Sequence, residues 1–280
     1  MLIVIFLKGE YITQIIESPC DKQALVDHYK KEGYVICNNV LDADIMAETC
    51  GHIEWLMEKH PDLRPEFLHT SLVIDDPFWV RLVRDERLLD IVEAFIGSNI
   101  ALFASHYICK PSYDGKPVLW HQDASYWPLK PMEVISIWLA VSDSTRKNGC
   151  MRVIPKTHKS NLHEYIERND VDNVLGSSID PELIDESKAI DLELSAGDLS
   201  IHHPNIIHGS DANNSSKWRK GLTIRYIPTS TKILEKNCGS PFLFRGDVKD
   251  GINDYLPFPK YNEGRHYPFK DAHRWDESNS

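Results

Sequence analysis

The sequence predicts an all-β core with flanking helices, built as a jelly roll of two sheets. Helical periodicity dominates the first hundred residues, whereas apolar and polar residues alternate with a period of two after Gly97. Several short strand candidates follow, and turn-forming residues separate them. Such closely spaced strands are typical of a sandwich or barrel. The sequence shows no internal repeat, so one domain is the simplest interpretation.

Helices and one short strand are predicted in the N-terminal part, residues 20–97. Asp21 and Asp42 are placed to act as N-caps of the first two helices. Gly97 follows the last helix, where glycine is common. The predicted elements are the helix Lys22–Glu32, the strand Tyr34–Cys37, a helix after Asp42, a helical region from Pro77 and the helix Glu86–Ile96.

The predicted jelly-roll core covers residues 100–228. Its strand candidates are Ala101–Cys109, Val118–Asp123, Glu133–Val141, Cys150–Ile154, Ile190–Leu194, Leu199–His202 and Gly221–Ile227. A polar, acidic stretch from Ser160 to Lys188 interrupts these strands and is a candidate lid or mobile insert. The C-terminal segment 229–280 is irregular but rich in aromatic residues, which predicts that it packs on the core.

Composition and charge disfavour several classes of protein. The 280 residues carry a formal net charge of −11, which disfavours nucleic acid and anionic membranes as partners. No apolar stretch is long enough to span a membrane, and the apolar start Met1–Leu7 lacks the features of a signal peptide. The six cysteines are scattered without a Cys-x-x-Cys pair. This pattern favours reduced thiols in a cytoplasmic protein.

A His-x-Asp motif, His121 to Asp123, follows a loop rich in glycine and proline. Two residues apart on a strand, the imidazole and the carboxylate can face the same point. Such a pair alone is a weak signal, because it can also form a buried hydrogen-bonded contact. His208 is the candidate third ligand, and two histidines with one carboxylate are typical of non-heme Fe(II) oxygenases. His202 and His203 are the competing choices.

An arginine, Arg219, follows His208 close to the next predicted strand. A guanidinium at this position can hold a dicarboxylate co-substrate through paired hydrogen bonds, which lysine does not reproduce. Because Lys217 and Lys220 flank it, Arg219 can also be a surface residue. Arg225 is the competing candidate for the same role.

At these positions the chain resembles the phytanoyl-CoA dioxygenase family of Fe(II)/2-oxoglutarate oxygenases, and is similar to its ectoine hydroxylases and aminophosphonate dioxygenases. The resemblance covers about residues 20–260, and the order of its motifs is more specific than any one motif. It departs at Lys156, where the family usually has glycine. The matching segments are Trp120–Asp123 with Tyr126–Trp127, Trp138–Ala140, Asn148–Met151, Ile154–Lys159, Gly197–Asp198, His208–Arg219 and Arg225–Tyr226.

The resemblance implies a double-stranded β-helix, a cupin-like jelly roll, in a single domain over residues 1–280. It implies that His121, Asp123 and His208 bind Fe(II), while Arg219 and Ser210 hold the far carboxylate of 2-oxoglutarate. O2 is the further co-substrate, and ascorbate is a candidate reductant. The implied reaction hydroxylates an unactivated C–H bond and releases succinate and CO2. Halogenating relatives lack the carboxylate that Asp123 supplies here, so hydroxylation is favoured over halogenation, while desaturation, ring formation and epoxidation stay open.

The expected substrate is a small polar metabolite, such as an aminophosphonate, an amino-acid derivative or a natural-product intermediate. Tyr126 and Trp127 follow the motif directly and are predicted to line its pocket, with His106 and Arg152 as further candidates. Trp138 is assigned to the core. Two alternatives stay open: a cupin-type Zn(II) or Mn(II) hydrolase or isomerase, and a non-catalytic binding protein on the same fold.

Overall fold

The computed structural model describes residues 22–69, 74–236, 238–239 and 241–277, together with the backbone of two N-terminal strands, β1 (Ile5–Leu7) and β2 (Glu10–Ile12). These two strands pair with each other as an antiparallel hairpin. The predicted helix cap Asp21 lies outside the described residues.

Helices in the described chain flank the sheets, largely where the sequence predicts them. Asp42 accepts a hydrogen bond of 3.1 Å from the N–H of Ile45, which confirms it as an N-cap. Gly97 adopts a φ of +78° after the last helix, a conformation that favours glycine. The helices are α1 (Lys22–Glu32), α2 (Ala43–Lys59), α3 (Pro77–Val83) and α4 (Glu86–Ile96).

The strands that follow β2 confirm the predicted all-β core. In chain order they are β3 (Tyr34–Cys37), β4 (Ile100–Tyr107), β5 (Val118–His121), β6 (Leu129–Lys130), β7 (Ile135–Ala140), β8 (Met151–Val153), β9 (Tyr165–Glu167), β10 (Ser177–Ile179), β11 (Ile190–Leu192), β12 (Leu199–His202), β13 (His208–Ser210), β14 (Gly221–Pro228), β15 (Lys232–Ile233) and β16 (Phe242–Arg245).

Two antiparallel sheets form the jelly roll in the described chain. The larger sheet has the strand order β16-β4-β14-β7-β12-β3, and the smaller one has the order β11-β8-β13-β5. Two short pairs, β9 with β10 and β6 with β15, accompany them. This is the predicted cupin-like architecture.

Strand β14 shows how the larger sheet separates its two faces. Ile224 and Tyr226 belong to the main hydrophobic core, together with residues of the four helices. Thr223 and Arg225 line a cavity on the other face. Because side chains alternate along a strand, one face packs against the helices and the other carries polar groups. Fully burying each large apolar side chain contributes about 1.5–3 kcal/mol.

The two strands that carry the candidate ligands differ from the prediction. The strand predicted over Val118–Asp123 ends at His121, and Asp123–Tyr126 forms a 3-10 turn. His208 lies at the start of β13, a strand that the sequence pattern does not predict. Three residues are too few to show a period of two.

The C-terminal segment 229–280 is more regular than predicted. It contributes β15 and β16, and β16 extends the larger sheet next to β4. The expected packing of its aromatic residues is confirmed, since several contact the main core. These residues are Phe242, Phe244, Phe258, Tyr261, Tyr267 and Phe269.

The polar stretch 160–188 contains an ordered hairpin, formed by β9 and β10. The hydroxyl of Tyr165 donates to the carbonyl oxygen of Gln122 over 2.6 Å. The ring of Tyr126 stacks on that of Tyr165, with centroids 4.9 Å apart, and its hydroxyl is 3.0 Å from that of Ser177. The hairpin is therefore attached to the turn that follows His121. Its movement as a lid stays a prediction.

Lys156 keeps the glycine-like conformation of its turn. Its φ is +71°, in the left-handed region, and its N–H donates to the carbonyl oxygen of Glu32 over 2.8 Å. A residue with a side chain costs roughly 1–2 kcal/mol in this region. The departure from the family pattern therefore leaves the turn in place.

Within the described residues, no helix combines the length and hydropathy that a membrane span requires. Five cysteines in that part of the chain form no disulfide bond, and three of them are buried. They are Cys37, Cys50, Cys109, Cys150 and Cys238.

Candidate metal centre

His121 and His208 lie opposite each other on neighbouring strands of the smaller sheet. Their ring centroids are 4.0 Å apart. Gly209 permits this close approach, because a Cβ at that position would lie 2.9 Å from the carbonyl oxygen of Val118. The pairing of β5 with β13 therefore brings together two histidines that are far apart in the sequence.

The carboxylate of Asp123 completes the cluster. Its Oδ1 is 3.6 Å from Nε2 of His121 and 3.9 Å from Nε2 of His208. A metal ion with bonds of about 2.1 Å can bridge ligand atoms up to about 4.2 Å apart. Both separations are therefore within the reach of one ion. No other group of this kind occurs in the described part of the chain.

Backbone carbonyl groups fix the orientation of both imidazoles. Nδ1 of His121 is 2.8 Å from the carbonyl oxygen of Leu119, and Nδ1 of His208 is 3.0 Å from that of Ile206. A carbonyl oxygen only accepts, so each Nδ1 carries a proton, which leaves Nε2 as the nitrogen that can bind a metal. Burial and the neighbouring His121 hold the pKa of His208 well below its usual range. The ring is then neutral at pH 7, which is the form that binds metals.

The second oxygen of Asp123 faces two other side chains. Its Oδ2 is 3.3 Å from Nε2 of His202 and 4.0 Å from Nη2 of Arg225. Burial alone would raise the pKa of Asp123, but Arg225 and the adjacent imidazoles outweigh it and hold that pKa well below its usual range. The carboxylate is therefore ionised, with Oδ1 directed at the histidine pair and Oδ2 held by these neighbours.

The competing histidines take other positions. Nε2 of His202 faces the outer oxygen of Asp123, and its ring lies 4.7 Å from that of His208, but it is not a member of the ligand cluster. The ring of His203 packs against those of Tyr29 and His158, and its Nδ1 accepts a hydrogen bond of 3.0 Å from the backbone N–H of Asn205. The geometry therefore favours His208 as the third member.

A cavity of about 330 Å³ opens onto the three clustered side chains. This volume is typical of sites for small molecules. Its walls are mostly apolar and aromatic, and both main sheets and the β9–β10 hairpin region contribute to them. The apolar lining includes Phe67, Phe103, Tyr126, Trp127, Val174 and Leu175.

Arg219 lines the same cavity, and its side chain is buried without a counter-ion among the described residues. It donates hydrogen bonds to the carbonyl oxygens of Gly149, at 2.7 Å, and Ile108, at 3.1 Å, while Nε has no partner in the described part of the chain. Burial lowers its pKa to about 10, which leaves it charged at pH 7. A buried charge without a partner is unfavourable. This arginine therefore indicates a site for an anion.

Ser210 lines the same cavity and is held by a buried lysine. Nζ of Lys110 donates to the hydroxyl oxygen of Ser210 over 2.7 Å and also to the carbonyl oxygen of Asp211. Since the serine oxygen accepts from Lys110, its own proton is free for a ligand. Sequence reasoning missed Lys110, because lysine is normally expected on the surface.

The sequence motifs and this geometry agree with the comparisons with known proteins. The family model described as phytanoyl-CoA dioxygenase (PhyH) matches residues 29–221. The chain belongs to this family. A probable alpha-ketoglutarate-dependent hypophosphite dioxygenase from Stutzerimonas stutzeri is 31% identical over 161 residues, which are 57% of this chain and 56% of that protein. The chain spans about half the length of the curated relatives that it matches.

Solved structures share the fold of this phytanoyl-CoA dioxygenase family member. The apo form of ThoJ, a non-heme monooxygenase, superposes with a TM-score of 0.73 at 22% identity, covering 91% of this chain and 94% of that one. The epimerase SnoN, in complex with Fe3+, alpha-ketoglutarate and nogalamycin RO, gives a TM-score of 0.64 at 20% identity, with 90% and 99% covered. At such identities the likeness shows the fold alone.

In this family member, Tyr126, Trp127 and His106 line the cavity, as the sequence predicts for substrate residues. Trp138 is buried, as expected, but it also forms part of the cavity wall. Its ring lies 5.0 Å from the guanidinium carbon of Arg219. Trp138 therefore belongs to the core, as predicted, and also borders the cavity.

Arg152 does not face the cavity, contrary to the prediction. Its neighbour Met151 lines the cavity, and alternation along β8 turns Arg152 to the opposite face. There its guanidinium lies 5.4 Å from the ring centre of Trp120 and forms ion pairs of 3.1 Å with Glu186 and Asp191. The alternation of side chains shows that Met151 and Arg152 lie on opposite faces of β8. It does not show which face borders the cavity.

Proposed function

We propose that this protein is an Fe(II)- and 2-oxoglutarate-dependent oxygenase that hydroxylates a C–H bond of a small molecule. The observation that carries the proposal is one cavity that holds both a His-Asp-His cluster and a buried arginine with no counter-ion among the described residues. Two relatives support it: the hypophosphite dioxygenase is described as alpha-ketoglutarate-dependent, and SnoN was solved with Fe3+ and alpha-ketoglutarate.

In the proposed enzyme, His121, Asp123 and His208 hold Fe(II). Two imidazoles and one carboxylate are a donor set that suits non-heme iron. The carbonyl groups that accept from each Nδ1–H keep both Nε2 lone pairs directed at the same point. All three side chains line the cavity, so that further ligands of the metal can approach from it.

Arg219 and Ser210 hold the far carboxylate of 2-oxoglutarate in this proposal. That carboxylate would neutralise the buried guanidinium and occupy its unpaired Nε–H. The hydroxyl of Ser210 is free to donate, because Lys110 satisfies its oxygen. The indole of Trp138 covers the guanidinium and fixes its plane.

Bound Fe(II) with 2-oxoglutarate and O2 supplies the oxidising chemistry, which converts 2-oxoglutarate to succinate and CO2 while an oxygen atom enters the C–H bond of the substrate. The residues of this chain bind and orient the co-substrate and the substrate, and they exclude water. Phe103, Trp127 and Leu175 provide apolar walls around the reacting groups. The turn after His121 is held by the β9–β10 hairpin, which limits access of solvent from that side.

The volume of the cavity restricts the substrate. About 330 Å³ must hold 2-oxoglutarate as well as the substrate, which suits a small metabolite better than an acyl-CoA. Because Asp123 is present and directed at the two histidines, the metal would keep its carboxylate ligand, which argues against halogenation. Hydroxylation is the outcome that we propose.

Succinate release tests the proposal directly. Purified protein with Fe(II), 2-oxoglutarate, O2 and ascorbate as reductant is screened against a broad panel of small metabolites. We expect succinate formation that requires both Fe(II) and 2-oxoglutarate and that one class of substrate accelerates. Turnover with Zn(II) or Mn(II) alone, without 2-oxoglutarate, would support a cupin-type hydrolase or isomerase instead. No succinate with any compound would support a non-catalytic binding protein.

A further inference from the structure

Arg225 is a second buried guanidinium in the cavity wall, separate from Arg219. Its side chain is 10% exposed, and its guanidinium carbon lies 4.9 Å from the ring centre of Trp127. Nη1 donates to Nδ1 of His106 over 3.2 Å and to the hydroxyl oxygen of Thr223 over 3.1 Å. These contacts hold the plane of the guanidinium while leaving its other edge uncovered.

The other edge of the Arg225 guanidinium carries the donors Nε–H and Nη2–H. Nε is buried and has no hydrogen-bond partner among the described residues. The nearest carboxylate oxygen to Nη2 is Oδ2 of Asp123, at 4.0 Å, and that oxygen already faces His202. An Nε–H beside an Nη2–H forms the parallel pair of donors that binds carboxylate or phosphonate in two places.

The charged side chains that line the cavity leave one positive charge unbalanced. The charged residues of the described lining are Arg219, Arg225, Asp123 and Glu66, and Glu66 pairs with Arg64 at 3.0 Å. The charges of the proposed Fe(II) and 2-oxoglutarate cancel each other. Two guanidinium groups then face one carboxylate. Because a buried unpaired charge is unfavourable, a further anion is expected in the site.

We propose that Arg225 binds an oxyanion of the substrate, which is therefore an organic carboxylate or phosphonate with an apolar body. The inference rests on the proposed function and narrows its substrate. Phe67, Phe103 and Leu175 provide apolar contacts for the body. An ammonium group would find no free carboxylate in the described lining, so substrates that carry one are disfavoured. Since Arg225 neighbours Asp123, the C–H bond that reacts lies a few bonds from the anionic group.

A purely structural role for Arg225 makes a different prediction. If the guanidinium only offsets the charge of Asp123, its removal changes metal binding and leaves the preference between acids and neutral compounds as it was. If it binds the substrate, its removal abolishes that preference. The comparison of matched acids and amides separates the two roles.

The binding experiment uses protein loaded with Zn(II) and saturated with 2-oxoglutarate, so that the Arg219 site is filled. Carboxylates and phosphonates of graded chain length are each compared with their neutral amide or ester and with the matching amine. Binding is followed by tryptophan fluorescence, because Trp127 lies beside Arg225. We expect at least one acid to bind ten or more times as tightly as its amide, and the amines to bind least. The relative affinities of carboxylates and phosphonates identify the oxyanion.

Two variants and one control complete the design. Arg225→Gln should reduce the difference between acid and amide to less than about twofold, whereas Arg225→Lys should retain part of it, since lysine keeps the charge but not the paired donors. Arg152→Gln is the matched control, because Arg152 also lies over a tryptophan but on the outer face of the jelly roll. It should keep the full preference.

The possible results separate this inference from the proposed function. If 2-oxoglutarate fails to bind the metal-loaded protein, the proposed function is wrong. If 2-oxoglutarate binds but no acid binds better than its amide, or the amines bind best, only the role of Arg225 is overturned. If Arg225→Gln and Arg152→Gln lose the preference for acid over amide equally, the role of Arg225 is also overturned.

Discussion

Nε2 of His202 lies 3.3 Å from Oδ2 of Asp123, the oxygen that does not face His121 and His208. The carboxylate therefore has one oxygen directed at the histidine pair and one held by a neighbour. Groups that orient a metal ligand in this way strongly affect metal affinity, although they do not touch the metal.

His202→Asn should weaken metal binding by roughly 10- to 100-fold, because the carboxylate of Asp123 loses a partner that orients it. Anaerobic titration with Fe(II) or Co(II) measures the effect. His203→Asn is the matched control, since His203 packs against Tyr29 and His158 instead. Equal effects of the two substitutions would contradict the role assigned to His202.

Arg219→Lys should raise the dissociation constant of 2-oxoglutarate by roughly 10- to 100-fold, because hydrogen bonds to charged groups contribute about 1.5–3 kcal/mol. Titration of 2-oxoglutarate into the metal-loaded protein tests this. Lys220→Gln serves as a control, since Lys220 forms an ion pair with the exposed Glu54 outside the cavity. An unchanged dissociation constant in Arg219→Lys would make Arg225 the next candidate.

Lys110→Met should lower the free energy of unfolding by about 1–3 kcal/mol, because buried oxygen atoms of Ser210 and Asp211 lose their donor. Urea unfolding measures the loss. The double variant Lys110→Met with Ser210→Ala should lose less than the sum of the two single changes, since the two side chains share one hydrogen bond. Exposed Lys147→Met is the control. Strict additivity would show that the Lys110–Ser210 contact contributes nothing.

The fold and the family could be predicted from the sequence because they depend on patterns spread over many residues. The alternation of apolar and polar residues after Gly97 predicted the strands. The order of motifs around His121 and His208 predicted the family. The convergence of both histidines with Asp123 is also present as predicted. It does not depend on the strand expected at Asp123, which is in fact a 3-10 turn.

Details that depend on single contacts could not be predicted. Alternation shows that Arg152 and Met151 lie on opposite faces, but not which face borders the cavity. The burial of Lys110 results from acceptors on a distant segment, Ser210 and Asp211. His202 orients Asp123 because its position on β12, in the larger sheet, places its ring beside that carboxylate. Each of these features requires the tertiary structure.

The stability of the metal-free protein should fall as the pH drops from about 6.5 to about 4. Burial, with the nearby imidazoles of His158 and His202, lowers the pKa of His203 from 6.5 to about 4. In this window the unfolded chain binds a proton at His203 and the folded chain does not, so acid favours unfolding. The slope for one such group is at most about 1.4 kcal/mol per pH unit.

His203→Gln should flatten that slope, because the substituted side chain takes up no proton in either state. Urea unfolding at several pH values gives the free energies. The exposed His273→Gln serves as the control. If His203→Gln and the unmodified protein lose stability equally over this range, the burial of His203 does not govern the pH dependence.

The most direct test of the central claim is anaerobic titration of Fe(II) into the protein in the presence of 2-oxoglutarate, followed by visible absorption. We expect a charge-transfer band that saturates at one iron per chain and requires 2-oxoglutarate, and that is lost in Asp123→Ala because a metal ligand is missing. No band in the unmodified protein, or an undiminished band in Asp123→Ala, would contradict the assignment of His121, Asp123 and His208 as the ligands of one iron.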